Sequence, residues 1–379
     1  MTVHTTDPGA RTEALADALQ VDGHLTSPRL RDALHAAPRH LFAPTRGWYA
    51  ADGPGPRRGI DRDTDPSGWW DAVYSDGSIV TQVDDGAGDP ARGVAEATSS
   101  LSSPGVVVAF LELLRVRPGD RLLEIGTGTG WTAALLAALG AYVTTVEVDA
   151  GLAATARETL AMAGFDPHVI TADGTFGAPD HAPFDGVHVT CGVDRVPYSW
   201  VEQTRPGGRL VLPWMPEYGG GHKALLTVTG DGRASGRLVG GANYMILRGQ
   251  RSTLRIPDDI TDAEATVTHL DPGEVTGSHG ADVAITAALP DVMGAPRIRD
   301  GVIELELADT AATSWARVRQ GDGEHQVWQA GPRRLWDEVA GAYMRWVEWG
   351  RPDQAAFGMT VGPDRQVAWR DEPSNIITP

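Results

Sequence analysis

Residues 121–131 read RLLEIGTGTGW, an apolar run that ends in a carboxylate and then turns through three alternate glycines into a helical stretch. Those glycines, at positions 126, 128 and 130, permit positive φ angles and let backbone N–H groups approach a ligand closely. A dinucleotide-binding turn has the spacing G-x-G-x-x-G. Here the spacing is G-x-G-x-G, and the preceding Glu124 would repel a pyrophosphate but attract a sulfonium or an α-amino group. Alone, the turn is weak support for a ligand site, because tight structural turns also use glycine.

Two further strand ends carry carboxylates. Residues 142–149, YVTTVEVD, place Glu147 about 20 residues after the turn, where a carboxylate accepts hydrogen bonds from ribose hydroxyls. Residues 172–174, ADG, place Asp173 at the next strand end, where it can receive an adenine amino group. Because parallel strands present their carboxyl ends at one edge of a sheet, the three acidic residues predict a single ligand crevice.

The pattern along the chain predicts a doubly wound α/β fold. Residues 104–229 alternate apolar strand runs with helical stretches, which is typical of a parallel sheet covered by helices on both faces. We expect a helical and loop-rich N-terminal region over residues 1–98, whose one strand lies at 78–81, and a cofactor-binding domain over 99–249. Residues 250–379 predict an added α+β domain, with the tryptophans of its helical segment mainly in the core.

Composition excludes several classes of protein. The 379 residues include a single cysteine, Cys191, so a disulfide framework and a thiolate-rich zinc site are ruled out, and we expect no metal. The N-terminus lacks an export pattern and no run is long and apolar enough to span a membrane, so we expect a cytoplasmic protein. The net charge of −18 argues against nucleic acid and means that an anionic partner needs a local basic patch. Nothing in the sequence predicts an oligomeric state.

The glycine turn, Glu147 and the ADGTFG segment at 172–177 resemble the class I S-adenosylmethionine methyltransferases, and more narrowly the protein-L-isoaspartate O-methyltransferases. PRHLFAP at 38–44, YSDGSIVTQ at 74–82 and PGGRLVLPW at 206–214 also match that family. The resemblance implies a Rossmann-like fold that binds S-adenosylmethionine and releases S-adenosylhomocysteine. The implied cofactor-binding residues are Glu124, Gly126, Thr127, Gly128, Gly130, Trp131, Glu147, Val148, Asp173, Gly174, Thr175 and Thr190.

The same resemblance points to the residues beside the reacting carboxylate. Asp76 occupies the family's usual acidic position. Where repair enzymes carry a Thr-Ile-Ser-x-Pro-like stretch, this chain has TSSLSSP at 98–104, and Ser102 matches the family serine two residues before proline. The serines also suit an N-cap of the following helix. We expect Ser102, Ser100 and Asp76 to form the catalytic region without a triad, because a carboxylate nucleophile is already charged and mainly needs alignment.

The C-terminal third suggests a narrower branch. Residues 244–251, YMILRGQR, and the later segments SWARV, GPRRLWDEV and FGMTV resemble the extension of methyltransferases encoded with ribosomally made peptides, especially lanthipeptides. That branch methylates an aspartate in a modified precursor peptide, and the ester cyclises to a succinimide that persists or hydrolyses to isoaspartate. Arg248, Arg333 and Arg334 are candidate contacts to an acidic precursor, although solvated surface charges are equally consistent with the pattern.

Two alternatives remain open from the sequence. The first is general repair of isoaspartate in proteins, against which the extension argues because a repair enzyme for unfolded proteins needs no dedicated recognition domain. The second is a non-catalytic partner protein that binds the cofactor and presents peptide to a synthetase. The intact set of Glu124, Glu147 and Asp173 argues against a decayed site.

Overall fold

A computed structural model describes residues 7–51, 55–93, 96–252, 256 and 263–378. The chain forms two compact units. The first comprises Met1–Cys191 with Glu202–Val211, and the second comprises Gly192–Val201 with Leu212–Pro379. This division differs from the expected boundaries at 98/99 and 249/250, since the first unit takes in the N-terminal region and the second begins well before residue 250.

The N-terminal part of the first unit is more regular than expected. Its elements are α1 (Pro8–Val21), α2 (Pro28–Ala36), β1 (Arg46–Ala51), β2 (Arg57–Asp61), α3 (Pro66–Val73), β3 (Gly77–Val83) and β4 (Ala97–Leu101). The four strands form an antiparallel sheet in the order β2-β1-β3-β4. Only β3 was expected as a strand, because few apolar residues mark the others; Tyr49 and Ile60 are buried in β1 and β2. Residues 52–54 and 94–95 of the expected loop region lie outside the described residues.

The rest of the first unit has the predicted doubly wound topology. Its elements are α4 (Pro104–Leu114), β5 (Arg121–Ile125), α5 (Trp131–Ala138), β6 (Tyr142–Glu147), α6 (Ala150–Met162), β7 (His168–Thr171), β8 (Phe184–Val189), α7 (Tyr198–Glu202) and β9 (Thr204–Trp214), with α7 and β9 crossing the unit boundary. The parallel strands follow the order β7-β6-β5-β8-β9. The strand order reverses at β5, because β6 lies on one side of it and β8 on the other, and a ligand crevice is expected at that point. The α/β fold class is confirmed.

The second unit is an α+β assembly. Its remaining elements are β10 (His222–Val228), β11 (Ala234–Gly241), β12 (Glu264–Thr268), α8 (Pro272–Val275), α9 (His279–Ala288), β13 (Val292–Arg299), β14 (Val302–Asp309), β15 (Trp315–Arg319), β16 (His325–Ala330), α10 (Leu335–Glu348), β17 (Phe357–Val361) and β18 (Gln366–Arg370). Strands β10-β11-β17-β18 are neighbours in that order, and a separate antiparallel sheet has the order β12-β16-β15-β14-β13.

Helix α10 carries the tryptophan-rich stretch. Trp336, Tyr343 and Trp346 are buried in the core, while the Trp349 ring lies under the Arg370 guanidinium at 4.6 Å. The face of α10 that carries Trp336, Tyr343 and Trp346 is therefore a packing face, as expected. Among the helices described, each is too short or too polar to cross a lipid bilayer.

Candidate functional site

The glycine turn that follows β5 has the left-handed conformation the sequence predicts. The φ angles of Gly126, Gly128 and Gly130 are 91°, 53° and 86°. A Cβ on Gly126 would lie 2.4 Å from Thr190 Oγ1, and one on Gly130 would lie 3.0 Å from Leu160 Cγ. Both backbone conformation and space therefore require glycine, and the backbone remains open to a ligand.

Glu147, the last residue of β6, lies directly against this turn. Its Oε2 accepts a hydrogen bond from Gly128 N at 2.9 Å, and its Oε1 accepts one from Asp149 N at 3.0 Å. The side chain is 7% exposed, so two backbone donors hold the carboxylate in one orientation. The spacing argument that placed Glu147 beside the turn is thus matched by the geometry.

The ends of β7 and β8 complete the same edge of the sheet. Asp173 is exposed and its Oδ1 accepts from Thr175 N at 2.9 Å, which caps a short 3-10 turn. Gly174 packs so closely on β5 that a Cβ there would lie 2.7 Å from Ile125 Cγ2. Thr190 follows β8 and donates to the Gly126 carbonyl at 2.5 Å. Val148, next to Glu147, is 40% exposed.

Glu124 is placed differently from expectation. Its carboxylate is fully buried beneath the turn, and its Oε2 accepts from Thr145 Oγ1 at 2.7 Å. Thr145 Oγ1 is also 2.7 Å from Thr127 Oγ1, so two hydroxyls link the carboxylate to the turn. In the structure Glu124 supports the loop from below, because β5 is buried on both faces and directs this side chain into the core.

His188 is a neighbour of Glu124 that the sequence analysis missed. Its Nδ1 lies 3.8 Å from Glu124 Oε1, and both side chains are fully buried. The Phe110 ring meets the imidazole edge to face at 5.9 Å. The sequence feature that could have indicated His188 is a histidine within the largely apolar strand segment FDGVHV.

Trp131, expected at the cofactor, uses its side chain elsewhere. Its Nε1 donates to the Ala37 carbonyl at 2.9 Å, and the Arg39 guanidinium lies 5.3 Å from the ring. The side chain is 2% exposed. At the first position of α5, Trp131 therefore offers a ligand its backbone rather than its indole.

The serine segment runs past the glycine turn in β4. A Cβ on Gly128 would lie 3.6 Å from the Ser100 carbonyl oxygen and 3.8 Å from Ser99 Oγ. The Ser102 carbonyl accepts from Arg39 Nη2 at 2.8 Å, and Arg39 is itself buried. The structure thus brings Ser100 to the predicted cofactor loop, while a buried arginine fixes the backbone at Ser102.

Asp76 performs the capping expected of the serines. Ser103 is the N-cap residue of α4, but its side chain makes no capping hydrogen bond. Asp76 Oδ1 instead accepts from Gly105 N at 2.8 Å, at the second residue of the helix. A carboxylate at this position also interacts favourably with the helix dipole.

The arginines predicted to contact an acidic peptide belong to the second unit, and ion pairs within that unit hold Arg333 and Arg334. Arg333 bonds to Asp291 and Glu338, at 2.6 and 2.5 Å. Hydrogen bonding to Glu338 raises the pKa of Arg333. Arg334 bonds to Glu264 at 2.5 Å and lies 3.6 Å from Asp337. These pairs neutralise the expected basic patch. Arg248 begins a 3-10 turn, Arg248–Gln250.

The chemistry available in the first unit is that of binding and alignment. Burial, together with the nearby Glu147 carboxylate, raises the pKa of the Cys191 thiol to about 12, so the thiol is protonated at neutral pH and is no nucleophile. Across the described residues, no group of His, Cys, Asp and Glu side chains has the geometry of a metal site. What remains is a glycine turn flanked by carboxylates and serines.

Comparison with known proteins gives consistent matches. The family described as "Protein-L-isoaspartate(D-aspartate) O-methyltransferase (PCMT)" matches residues 87–249. The protein-L-isoaspartate O-methyltransferase of Methanoregula boonei is 36% identical over 197 residues, which cover 52% of this chain and 74% of the relative. The protein of that name from Methanopyrus kandleri is 32% identical over 246 residues, covering 63% of this chain and 91% of the relative.

A solved structure named protein-L-isoaspartate O-methyltransferase shares the fold, with a TM-score of 0.56 and 19% sequence identity. The match covers 95% of this chain and 100% of that one, so it includes most of residues 250–379. The fold of that solved structure therefore extends over most of the segment that follows the methyltransferase domain.

Proposed function

The chain belongs to the protein-L-isoaspartate O-methyltransferase family, and from that premise we propose that it methylates the side-chain carboxylate of an isoaspartyl or aspartyl residue in a peptide. It is an S-adenosylmethionine-dependent carboxyl O-methyltransferase. The observation that carries the proposal is the Glu147 carboxylate fixed against Gly128 N beside a turn that only glycine can form.

The residues at this edge of the sheet fit the methyl donor. Glu147 retains acceptor lone pairs for ribose hydroxyls beyond the two used by backbone donors. Asp173 is exposed and uses Oδ1 for its cap, which leaves acceptor capacity for an amino group. Gly126, Gly128, Gly130, Thr127, Gly174, Thr175 and Thr190 would shape the remaining surface, and the Trp131 backbone and Val148 would border it. When bound, S-adenosylmethionine supplies an electrophilic methyl group on a sulfonium.

The chain's own task is to bind, orient and shield the acceptor. A carboxylate needs no general base, so alignment supplies much of the acceleration, up to about 7–11 kcal/mol in favourable cases. We assign Ser100 and Ser102 to this task, because Ser100 adjoins the glycine turn and Arg39 fixes the Ser102 backbone. Asp76 contributes by holding the start of α4, which follows the serine segment.

The finer identity that we propose for the substrate is an aspartate in a modified ribosomal peptide of the lanthipeptide type. Its support is the resemblance of residues 244–251 and the later segments to methyltransferases encoded with such peptides. The following backbone amide would attack the methyl ester, forming a succinimide and releasing methanol. General isoaspartate repair is the second candidate, favoured by the shared fold of the solved structure over 95% of the chain.

Mass spectrometry of three matched peptides separates these candidates. An isoaspartyl peptide, its aspartyl counterpart and the thioether-cyclised aspartyl peptide would each be incubated with enzyme and S-adenosylmethionine. Repair predicts methylation of the isoaspartyl peptide alone, and maturation predicts methylation of the cyclised peptide. In both cases the added methyl group is removed by mild base. A base-stable methyl group, or S-adenosylhomocysteine binding with no product from any peptide, would contradict carboxyl methylation.

A further inference from the structure

One face of the five-stranded sheet in the second unit concentrates arginine. Side chains alternate between faces along a strand, and directly opposed residues on antiparallel neighbours share a face. Between β13 and β14, Arg297 lies opposite Glu304. Between β14 and β15, Glu304 lies opposite Arg319, and Glu306 lies opposite Arg317. These residues, together with Arg299, form what we call the arginine face: Arg297, Arg299, Glu304, Glu306, Arg317 and Arg319.

The arginine face carries more positive than negative side chains. Glu306 bonds to Arg297 at 2.8 Å and to Arg317 at 3.1 Å. Glu304 is farther from its partners, at 3.5 Å from Arg299 and 3.7 Å from Arg319. Four guanidinium groups therefore meet two carboxylates, on a chain whose net charge is −18.

On the arginine face, the acidic side chains are buried and three of the arginine side chains are exposed. The Glu304 and Glu306 side chains are 8% and 6% exposed, whereas those of Arg297, Arg299 and Arg319 are 57%, 47% and 48% exposed. The carboxylates thus form a buried layer that holds the guanidinium groups in place, and the outer layer is cationic. Arg333 and Arg334 are each paired with two carboxylates, and their side chains are less exposed, at 28% and 38%.

Two tryptophans lie on the same face. Trp328 of β16 is directly opposite Arg317, and Trp315 precedes Arg317 by two residues on β15. Both are partly exposed. Such rings add apolar contact area at a peptide-binding surface at low cost in conformational entropy.

We propose that the arginine face binds an acidic, extended segment of the peptide substrate; the occupant rests on the proposed function, whereas the site rests on the geometry above. Arginines two positions apart on a strand are separated by about 6.8 Å, the same spacing as alternate side chains of an extended peptide. Each guanidinium presents a planar fork that matches a carboxylate. Acidic residues at alternate positions would therefore meet successive arginines, while intervening side chains contact Trp315 and Trp328.

A nucleic acid fits this face less well. The buried carboxylates of Glu304 and Glu306 leave an excess of only two positive charges, and the rest of the chain repels a phosphate backbone. A peptide segment carries fewer charges and can place them at the arginines alone. The local pattern therefore favours an acidic peptide, whose few charges the arginines can match, over a nucleic acid.

The test uses the full chain and a fluorescent peptide of alternating Asp and Ser, which measures binding without methyl transfer. The variant R297Q/R299Q/R319Q removes three exposed charges from the face. The control R92Q/R233Q/R365Q removes three exposed charges elsewhere, so both variants have the same net charge. We expect the first variant to bind the peptide about tenfold more weakly or worse at low salt, and the control to bind as the unchanged chain does. A peptide of alternating Asn and Ser should not bind.

Three outcomes would overturn the proposal: no binding of the acidic peptide, equal binding by both variants, or tighter binding of a single-stranded oligothymidylate than of the peptide. S-adenosylhomocysteine affinity should be the same in all three proteins, which checks folding of the first unit, and the urea unfolding transition checks folding of the second unit. The two proposals fail separately. Acidic-peptide binding that depends on the arginines, without methylation of any peptide, would refute the proposed function and leave the binding face intact.

Discussion

Glu147 shows how a single side chain can join two strand ends. Its two oxygens accept from Gly128 N and from Asp149 N, so the carboxylate links the turn after β5 to the start of α6. Its low exposure keeps water from competing with these bonds. These two hydrogen bonds hold the carboxylate in one orientation, and we expect the loss of the carboxylate to affect cofactor binding more than overall folding.

We expect Glu147→Gln to weaken S-adenosylhomocysteine binding by about 1–3 kcal/mol, because a neutral amide is a poorer acceptor and one of its two ends cannot accept at all. Titration calorimetry measures the change. The control is Glu158→Gln on the exposed surface of α6, which should bind as the unchanged chain does. Equal affinities for both variants would remove Glu147 from the cofactor site.

Asp282 in the second unit is a buried carboxylic acid with a raised pKa. Burial raises the pKa of Asp282 to about 7, although Gly220 N donates to its carboxylate at 3.2 Å. His279 Nδ1 lies 3.9 Å from the same oxygen, and burial also raises the pKa of the nearby Tyr218. Between about pH 4 and about pH 7, the folded chain keeps a proton that the unfolded chain releases. The free energy of unfolding therefore falls as the pH rises through this range.

Asp282→Asn should remove that part of the pH dependence, because the amide keeps an acceptor for Gly220 N and carries no charge. As the pH rises from about 4 to about 7, the free energy of unfolding of the variant should increase relative to that of the unchanged chain, by up to about 4 kcal/mol. Urea unfolding across this range provides the measurement, with the exposed Asp364→Asn as control. If the difference in unfolding free energy between the two proteins does not change with pH, Asp282 has the same pKa in the folded and unfolded chains.

The elements that the sequence predicted best are those with the most apolar residues. Strands β5, β6 and β8 are buried on both faces, so each appears as an apolar run ending near a carboxylate or threonine. Strands β1 and β2 were missed because few of their residues are buried, and because β1 also pairs with β3, later in the chain. The local pattern also indicated Glu147 and the glycines. It did not indicate the side-chain contacts of Trp131, Arg39 and His188, because those contacts come from packing between elements.

Helix α4 illustrates a contact of that kind. Asp76, 29 residues earlier in the chain, supplies the cap that the adjacent Ser103 does not make. We expect Asp76→Ala to lower the free energy of unfolding by about 0.5–2 kcal/mol. Asp76→Asn should lower it by much less, because the amide oxygen still accepts from Gly105 N. Denaturant titration measures both. If Asp76→Ala and the unchanged chain unfold alike, the carboxylate is not a cap.

Activity separates capping from catalysis at the same residue. If Asp76 acts only through α4, the Asn variant should retain both stability and kcat. A variant that is stable but slow would show that the charge itself takes part in the reaction. The two readouts together distinguish these roles, since loss of a cap affects stability first.

For the molecule as a whole, the decisive difference from expectation is where the second unit begins. Residue 249 was expected to end a domain, yet residues 192–201 and 212–249 belong to the same compact unit as residues 250–379. The β10-β11 hairpin explains this, because its outer strand pairs with β17, more than a hundred residues later. Long-range pairing of this kind leaves no mark in local composition, so the sequence placed the boundary where the alternating pattern stopped.

Truncation after Gly249 should therefore give a chain that does not fold as a stable monomer. β11 would lose the register that joins Ala234 to Val361 and Arg237 to Gly358, and its edge would be open to pairing with another molecule. The buried His222 would lose its hydrogen bond from Gln354, and Asp194 N would lose the Gln250 side chain. Size-exclusion chromatography should show aggregation, and adding residues 250–379 as a separate polypeptide during expression should restore a complex of the same size as the unchanged protein. A soluble, cooperatively unfolding chain of residues 1–249 would instead place the boundary at 249 and make β17 and β18 dispensable additions to a finished unit.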